Sequence, residues 1–198
     1  MLLVSTLGDE GVRAYHHGDL RKALLEAAST LLDEAGVAAI SLREVARRAG
    51  VSHNAPYRHF ADRDALLAAL AQEGFTTLIR RIEAVPVTEL GLRGECYIAY
   101  ALERPGHFAL MFGAQLDKRD HPELQLVARE LFDQLEASVS VLRPDESTQT
   151  ASLAAWSLVH GLSQLLLDGQ CPAEDVPATA RAVTGLFVEG LLARGRSA

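Results

Sequence analysis

Three features of the sequence predict an all-α fold. Apolar residues make up 48% of the 198 residues, and leucine and alanine dominate them. Runs of β-branched residues are scarce, and the apolar positions recur at the three- and four-residue spacing of one helix face. A chain of this length and composition buries a substantial core, so it is globular and not disordered. We predict about nine helices, three of them in an N-terminal module.

The first helix follows an arm that shows no periodicity. Residues 1–14 are predicted to be flexible, and their Arg13 either reaches a minor groove or stays with a disordered arm. The next segment, Tyr15–Arg21, leads into a helix that Gly36 ends. The apolar stripe of this helix consists of Leu20, Leu24, Ala27, Leu31 and Ala35.

Residues 41–60 predict two short helices joined by a tight turn. The first helix has its apolar residues at 42, 45, 46 and 49. Ser41 caps it and Glu44 completes a capping box, while Gly50 ends it in a left-handed conformation. We expect Ser52 to cap the second helix, which carries residues 53–60. That helix starts within 52–54, because a proline at position 56 is tolerated only in a first turn.

This layout is typical of a helix-turn-helix that places its second helix in the major groove of DNA. Five arginines and two carboxylates lie between residues 42 and 63, although the whole chain has a net charge of −7. A basic face on an acidic body can bind phosphates. We expect Ser41 and Arg43 to hold the phosphate backbone. Candidates for base edges are His53, Asn54, Ala55 and Arg58.

The rest of the chain predicts a larger helical domain. Asp62 caps a long helix, whose movement would move the recognition helix directly before it. Its buried side consists of Leu66, Leu67, Leu70, Phe75, Leu78 and Ile82. The stretch 86–94 is rich in proline and glycine and predicts a break. Further helices are expected at about 95–103, through 108–112, and at 122–142, 147–167 and 177–194, with turns at 117–122, 143–145 and 168–176.

Several residues of this second domain are candidates for ligand binding. Trp156 and His160 lie four residues apart on one helix face, where they either form a pocket wall or pack in a core or dimer contact. The other candidates, which are equally plausible as plain core, are Tyr97, Tyr100, Phe108, Met111 and Phe112. A stripe at positions 180, 183, 187 and 191 is interpreted as a dimer interface, the alternative being burial within one subunit.

The sequence also argues against several function classes. It has no glycine-rich phosphate loop, no GxSxG motif and no paired-cysteine motif, so we expect neither an enzyme nor a cofactor. Cys96 and Cys171 have no spacing typical of metal or disulfide sites, and the scattered histidines 107, 121 and 160 predict no metal. The absence of a signal core predicts a cytoplasmic location, and polar residues within 151–167 argue against a membrane span. The alternative to DNA binding is a helical small-molecule-binding or interaction module.

The first four predicted helices resemble regulators of the TetR (tetracycline-repressor-like) family. The matching segments are Glu34–Gly36, Ser41–Ala46, Ala49–Ser52, Tyr57–Phe60 and Arg63–Leu67. Pro56 departs from the leucine-like residue usual in the family. The resemblance implies that Tyr57, His59 and Arg63 grip phosphates. The segment Trp156–Gly161 is similar to a Trp…His-Gly pattern in one subgroup of ligand domains, as is the lead-in from Tyr15.

The resemblance also implies an organisation and a mechanism. Residues 15–62 would form the DNA-binding domain, and residues 63–198 a domain for dimerisation and an unknown small-molecule effector. The last two helices, about 147–167 and 177–194, would form the interface of a homodimer. A two-fold dimer reads a palindromic operator whose half-sites lie about 34 Å apart. Repression would follow if the operator overlaps a promoter, and a ligand that favours a different half-site spacing would release the DNA. The sequence leaves activation open.

Overall fold

The computed structural model describes residues 17–143, 148–171 and 173–194, and within these ranges every regular element is helical. The all-α prediction is therefore confirmed, with eight α-helices instead of about nine in the described part. They are α1 (His17–Ala35), α2 (Leu42–Arg48), α3 (Arg63–Glu83), α4 (Leu90–Glu103), α5 (Pro105–Phe112), α6 (Pro122–Leu142), α7 (Thr148–Leu167) and α8 (Val176–Arg194). Short 3-10 turns cover Val37–Ala39, Pro56–Arg58 and Lys118–Asp120. The predicted arm with Arg13, the lead-in residues Tyr15 and His16, and positions 144 and 145 of the predicted turn lie outside the described residues.

The helix boundaries follow from local chemistry. The Ser41 hydroxyl accepts a hydrogen bond from the Glu44 amide at 3.2 Å, and the Asp62 carboxylate accepts one from the Ala65 amide at 2.8 Å. Both predicted N-caps are thus confirmed. Gly50 has φ of +68°, as predicted for the residue that ends α2. The carboxylate of Glu44 accepts hydrogen bonds from Arg47, so of the capping box predicted with Ser41 only the half formed by the Ser41 hydroxyl is observed.

The predicted recognition helix is wrong as an α-helix, and Pro56 is the reason. Proline has no N–H to donate to the Ser52 carbonyl, and that carbonyl instead accepts from Ala55 at 2.9 Å. The His59 amide donates to the Pro56 carbonyl at 2.9 Å, again across three residues. The segment is a single 3-10 turn, Pro56–Arg58, with Ala55 and not Ser52 at its cap position.

The break predicted over residues 86–94 ends earlier than expected, because α4 already begins at Leu90. Its glycines belong to a helix contact and not to a linker. A Cβ atom built on Gly94 would lie 3.0 Å from Thr184 Cγ2 and 3.2 Å from Val159 Cγ1. Glycine at 94 thus lets α4 approach α7 and α8 closely.

One core joins the N-terminal module to α3, α4, α5 and α6, whereas α8 packs in two smaller clusters. The buried members of this core run from Leu24 in α1 through Val45 in α2 and Leu70 in α3 to Leu131 in α6. The predicted buried side of the helix after Asp62 is confirmed, because all six of its residues are at most 7% exposed. Since α3 packs against α1, α4, α5 and α6, it joins the N-terminal module to the helices that follow.

The two parts approach each other closely at Gly106 in the first turn of α5. A Cβ atom there would lie 2.7 Å from the Leu32 carbonyl oxygen of α1. The second position of α4 is also a glycine, Gly91, and a Cβ atom there would meet nothing closer than 3.7 Å.

We predict that Gly106→Ala lowers the free energy of unfolding by about 1–3 kcal/mol, because a backbone carbonyl cannot step aside as a side chain can. Gly91→Ala is the matched control at the same helix position, and we expect it to be neutral or stabilising by up to about 1 kcal/mol. Urea denaturation at one fixed protein concentration measures both. Equal stabilities for the two variants would contradict the close packing of α5 on α1.

Candidate DNA interface and ligand cavity

The residues predicted to contact DNA form two classes in the structure. Exposed side chains are available on α2, in the turn and on the 3-10 segment, whereas three others are half-buried. The exposed ones are Ser41, Arg43, His53, Asn54, Tyr57 and Arg58, and the half-buried ones are Ala55, His59 and Arg63.

The arginines of this region differ in their partners. Arg47 binds Glu44 within α2, and Arg48 binds Glu34 of α1 at 2.6 Å. Hydrogen bonding from Arg47 lowers the pKa of Glu44. In the described part of the chain, Arg43 and Arg58 have no carboxylate within ion-pair distance. The positive charge that remains for phosphates or bases is therefore concentrated at these two side chains.

Arg63 has an internal role that sequence reasoning missed. Its Nε donates to the Ile40 carbonyl at 2.8 Å and its Nη2 donates to the Val37 carbonyl at 2.8 Å. These bonds fasten the first residue of α3 to the connection between α1 and α2. The neighbouring His59 has its Nε2 buried without a hydrogen-bond partner in the described structure.

The C-terminal helices enclose a cavity of about 170 Å³. It lies between α3, α4, α6, α7 and α8, with the end of α5 at one side. Its lining is mainly aromatic and aliphatic, and includes Phe75, Ile82, Leu90, Tyr97, Phe112, Leu131, Phe132, Leu135, Trp156, Val159, Phe187 and Val188. A mostly apolar cavity with few polar groups is typical of a small-molecule site.

Only some of the predicted ligand residues line this cavity. Tyr97, Phe112 and Trp156 do. Tyr100 and Met111 are instead fully buried in the core, where the Tyr100 hydroxyl donates to Met111 Sδ at 3.5 Å. Phe108 and His160 pack behind the wall, with their ring centroids 5.2 Å apart. Periodicity placed all seven on inward faces but could not separate the cavity wall from the layer behind it.

A hydrogen-bonded chain fixes one wall of the cavity. Trp156 Nε1 donates to the Tyr97 hydroxyl at 3.4 Å, and this hydroxyl lies 2.9 Å from His160 Nδ1. Burial lowers the pKa of His160, so its ring is neutral at pH 7 and Nδ1 can accept the hydroxyl proton. Burial also raises the pKa of Tyr97. The wall is consequently uncharged at neutral pH.

The polar groups of the cavity were not predicted from the sequence. Arg93 is 8% exposed, and its guanidinium donates to the Val85 carbonyl and to the Ser138 hydroxyl, the latter at 2.9 Å. Lys118 lies half-buried beside Phe75 and Phe112. In the sequence, Lys118 belongs to a stretch typical of a polar surface loop, so its burial is not indicated. Arg93 is a single arginine on an amphipathic helix, and this pattern does not indicate burial either.

A second polar cluster joins α5 to α1. His107 is 3% exposed, with Nδ1 lying 3.1 Å from an Asp33 oxygen and Nε2 lying 3.3 Å from the Ser29 hydroxyl. Arg104 donates to the same hydroxyl at 2.8 Å and pairs with Asp33 at 3.1 Å. Burial, followed by the charge of Arg104, lowers the pKa of His107. This cluster lies next to the Gly106 contact and connects α5 with the N-terminal module.

The interface stripe predicted on α8 is wrong, and the alternative of burial within the subunit holds. Ala180 packs with Ile98 and Leu162, Leu191 packs with Leu90, and Phe187 lines the cavity. The opposite face of α8 is exposed, and Leu186 on it is 72% exposed. Helix α7 has a similar outer face, with Leu153 48% and Leu165 45% exposed.

Two family models match the chain in the regions just described. The model of bacterial regulatory proteins of the tetR family matches residues 24–70, which include α2 and the 3-10 segment. The model of the tetracyclin repressor-like C-terminal domain matches residues 93–187, which include most of the cavity. The chain belongs to the TetR family. The resemblance to this family seen in the sequence is thus confirmed, and the protein is a ligand-responsive, DNA-binding transcriptional regulator.

Solved structures agree with this fold over nearly the whole chain. A protein of unknown function from Rhodococcus sp. RHA1 is 30% identical, with a TM-score of 0.81 over 91% of this chain and 99% of that one. The TetR family regulator PfmR from Thermus thermophilus is 21% identical, with a TM-score of 0.63 over 84% and 97% of the two chains. FadR from Bacillus subtilis, in complex with stearoyl-CoA, is 16% identical, with a TM-score of 0.68 over 86% and 98%.

Proposed function

We propose that this TetR-family protein is a homodimeric cytoplasmic repressor that a small molecule releases from a palindromic operator. Residues 15–62 contact DNA and residues 63–198 bind the effector and the second subunit. The observation that carries this proposal is that one helix, α3, begins beside the DNA-contacting residues and also lines the cavity. Arg63 lies at its first position, and Phe75 and Ile82 lie in the cavity wall.

The contacts of α3 support a mechanical route from the cavity to DNA. A ligand that fills the cavity presses on Phe75 and Ile82 and favours a displaced α3. Because Arg63 is hydrogen-bonded to the Val37 and Ile40 carbonyls, displacement of α3 shifts the segment that leads into α2. The cluster of Asp33, His107 and Arg104 supports a parallel route from α5 to α1. A ligand whose binding free energy differs by a few kcal/mol between the original and the displaced position of α3 suffices for a useful response.

We assign DNA contacts to the side chains of the N-terminal module according to their accessibility. Phosphates are contacted by the exposed side chains of Ser41, Arg43 and Tyr57. The half-buried His59 and Arg63 also contact phosphates, through the atoms that remain accessible. Base edges are read by the side chains of the turn and the 3-10 segment, namely His53, Asn54, Ala55 and Arg58. Unpaired Arg58 suits a guanine edge, to which arginine donates two parallel hydrogen bonds.

The exposed apolar faces of α7 and α8 support the homodimer. Besides the exposed leucines, Gly161 and Gly185 have open space beyond their Cα atoms, which permits close approach of a second pair of helices. By length and composition alone, residues 176–193 of α8 could also cross a membrane, and only 17% of that window is buried. For a regulator that contacts DNA, we attribute this exposure to a four-helix interface with a second copy.

Arg43→Ala tests the DNA interface. We predict that it lowers the salt slope of operator binding by about 1.8, because a dimer loses two phosphate contacts worth about 0.9 each. Fluorescence anisotropy with a duplex from the region upstream of the gene, titrated with potassium chloride, gives the slope. Arg129→Ala removes the same charge from exposed α6 and is the control. An unchanged slope for Arg43→Ala, or an equal loss in both variants, would refute the assignment.

Leu186→Glu tests the dimer interface. We predict that this change converts dimers to monomers at micromolar concentration, because it places two carboxylates on a buried apolar contact. The control is Leu126→Glu, since Leu126 is similarly exposed at 69% but lies on α6. Sedimentation velocity measures both species. A dimeric Leu186→Glu variant with its helical content intact would rule out this face of α8 as the interface.

A further inference from the structure

Lys118 is a half-buried cation without a counter-ion at the effector cavity. Its neighbours in the chain pair with each other, since Arg119 Nη2 lies 2.7 Å from an Asp117 carboxylate oxygen. Among the described residues, no carboxylate lies within ion-pair distance of the Lys118 ammonium. The other lysine of the chain, Lys22, is exposed and pairs with Glu26 at 3.6 Å.

The position of Lys118 places its charge against the apolar lining. Its Nζ lies 5.4 Å from the centroid of the Phe75 ring and 5.5 Å from that of the Phe112 ring. Both rings line the cavity, as does Lys118. Burial lowers the pKa of Lys118, which means that the protein around it solvates the charge less well than water does. An anion brought to this position would compensate for the lost hydration.

The other cation of the cavity is already engaged. Arg93 donates through Nε and Nη2 to the Val85 carbonyl and through Nη1 to Ser138. The wall formed by Tyr97 and Trp156 is neutral, and most of the remaining lining is aliphatic or aromatic. Among the residues that the structure describes, the cavity therefore offers one available positive charge beside a large apolar surface. That combination favours a single negative charge over a phosphate dianion, which needs several donors.

We infer that the effector is a small amphipathic monocarboxylate, whose carboxylate binds Lys118 Nζ while its apolar body fills the cavity. This inference rests on the proposed function, in which the cavity is the effector site. The cavity volume of about 170 Å³ limits the size of the effector. An apolar cavity of about 150 Å³ accommodates benzene, so a single ring or a short alkyl chain fits.

Emission from Trp156 reports binding directly, because it is the only tryptophan and lies in the cavity wall. The full-length protein is titrated with phenylacetate, 3-phenylpropanoate, hexanoate and octanoate, and with the corresponding alcohols. At least one acid is expected to bind with about tenfold higher affinity than its alcohol. Lys118→Met should weaken that acid about tenfold and leave the alcohol unaffected, whereas Lys118→Arg retains the preference for the acid. Lys22→Met is the matched control at the other lysine, and it should leave both affinities unchanged.

The outcomes separate this inference from the proposed function. If alcohols bind as tightly as acids, or if Lys118→Met weakens both equally, the carboxylate site is refuted while the cavity remains a ligand site. If no acid and no alcohol changes the emission at millimolar concentration, the inference of a monocarboxylate effector is refuted, while the Arg43→Ala and Leu186→Glu experiments test the proposed function independently. Even if Lys118→Met does not fold, the comparison of acids with alcohols in the unmodified protein decides whether the cavity prefers a carboxylate.

Discussion

The structure depends on the continuity of α3. This helix of 21 residues is about 31 Å long, and its buried side belongs to the core that α1 and α2 share with α4, α5 and α6. Leu66 and Leu67 near its start are fully buried, and so is Leu78 further along. In the proposed mechanism α3 moves as one close-packed unit, so that displacement of its cavity end also displaces its start.

In the proposed mechanism, the attachment of α3 at its first turn gives this motion its effect on DNA binding. Asp62 caps the helix through the Ala65 amide, and Arg63 binds two carbonyls of the segment before α2. The second attachment, between α5 and α1, combines a close backbone approach at Gly106 with the contact of buried His107 with Asp33. Both attachments join the ligand domain to the N-terminal module through polar contacts with fixed geometry, which a displaced helix must carry with it or break.

Sequence reasoning predicted the local structure well wherever a single residue decides it. The cap at Asp62, the left-handed Gly50 and the buried side of α3 follow from side-chain chemistry and spacing alone. It was wrong at Pro56, since a proline four residues after Ser52 was compatible with either a helix or a turn. It was also wrong about the α8 stripe, because periodicity identifies an apolar face but not its partner.

The candidate site was only partly predictable for a related reason. Tyr97 and Trp156 were found because aromatic residues on inward faces are plausible in any cavity. Lys118 and Arg93 were missed, since their burial depends on how α3, α4 and α6 pack and not on their neighbours in the sequence. The glycine at 94 appeared to be a linker residue, although it permits the contact of α4 with α8. Tertiary packing, and not local pattern, determines each of these features.

The most direct test of the account is to fill the cavity without any ligand. Ala128 on α6 lines the cavity, and Ala128→Phe adds a ring to the space that α3 also lines. If occupancy of the cavity is transmitted through α3, this variant binds operator DNA at least about tenfold more weakly than the unmodified protein. The control is Ala137→Phe, which adds the same ring on the exposed side of α6. A folded Ala128→Phe variant that binds DNA as tightly as the unmodified protein would contradict the account.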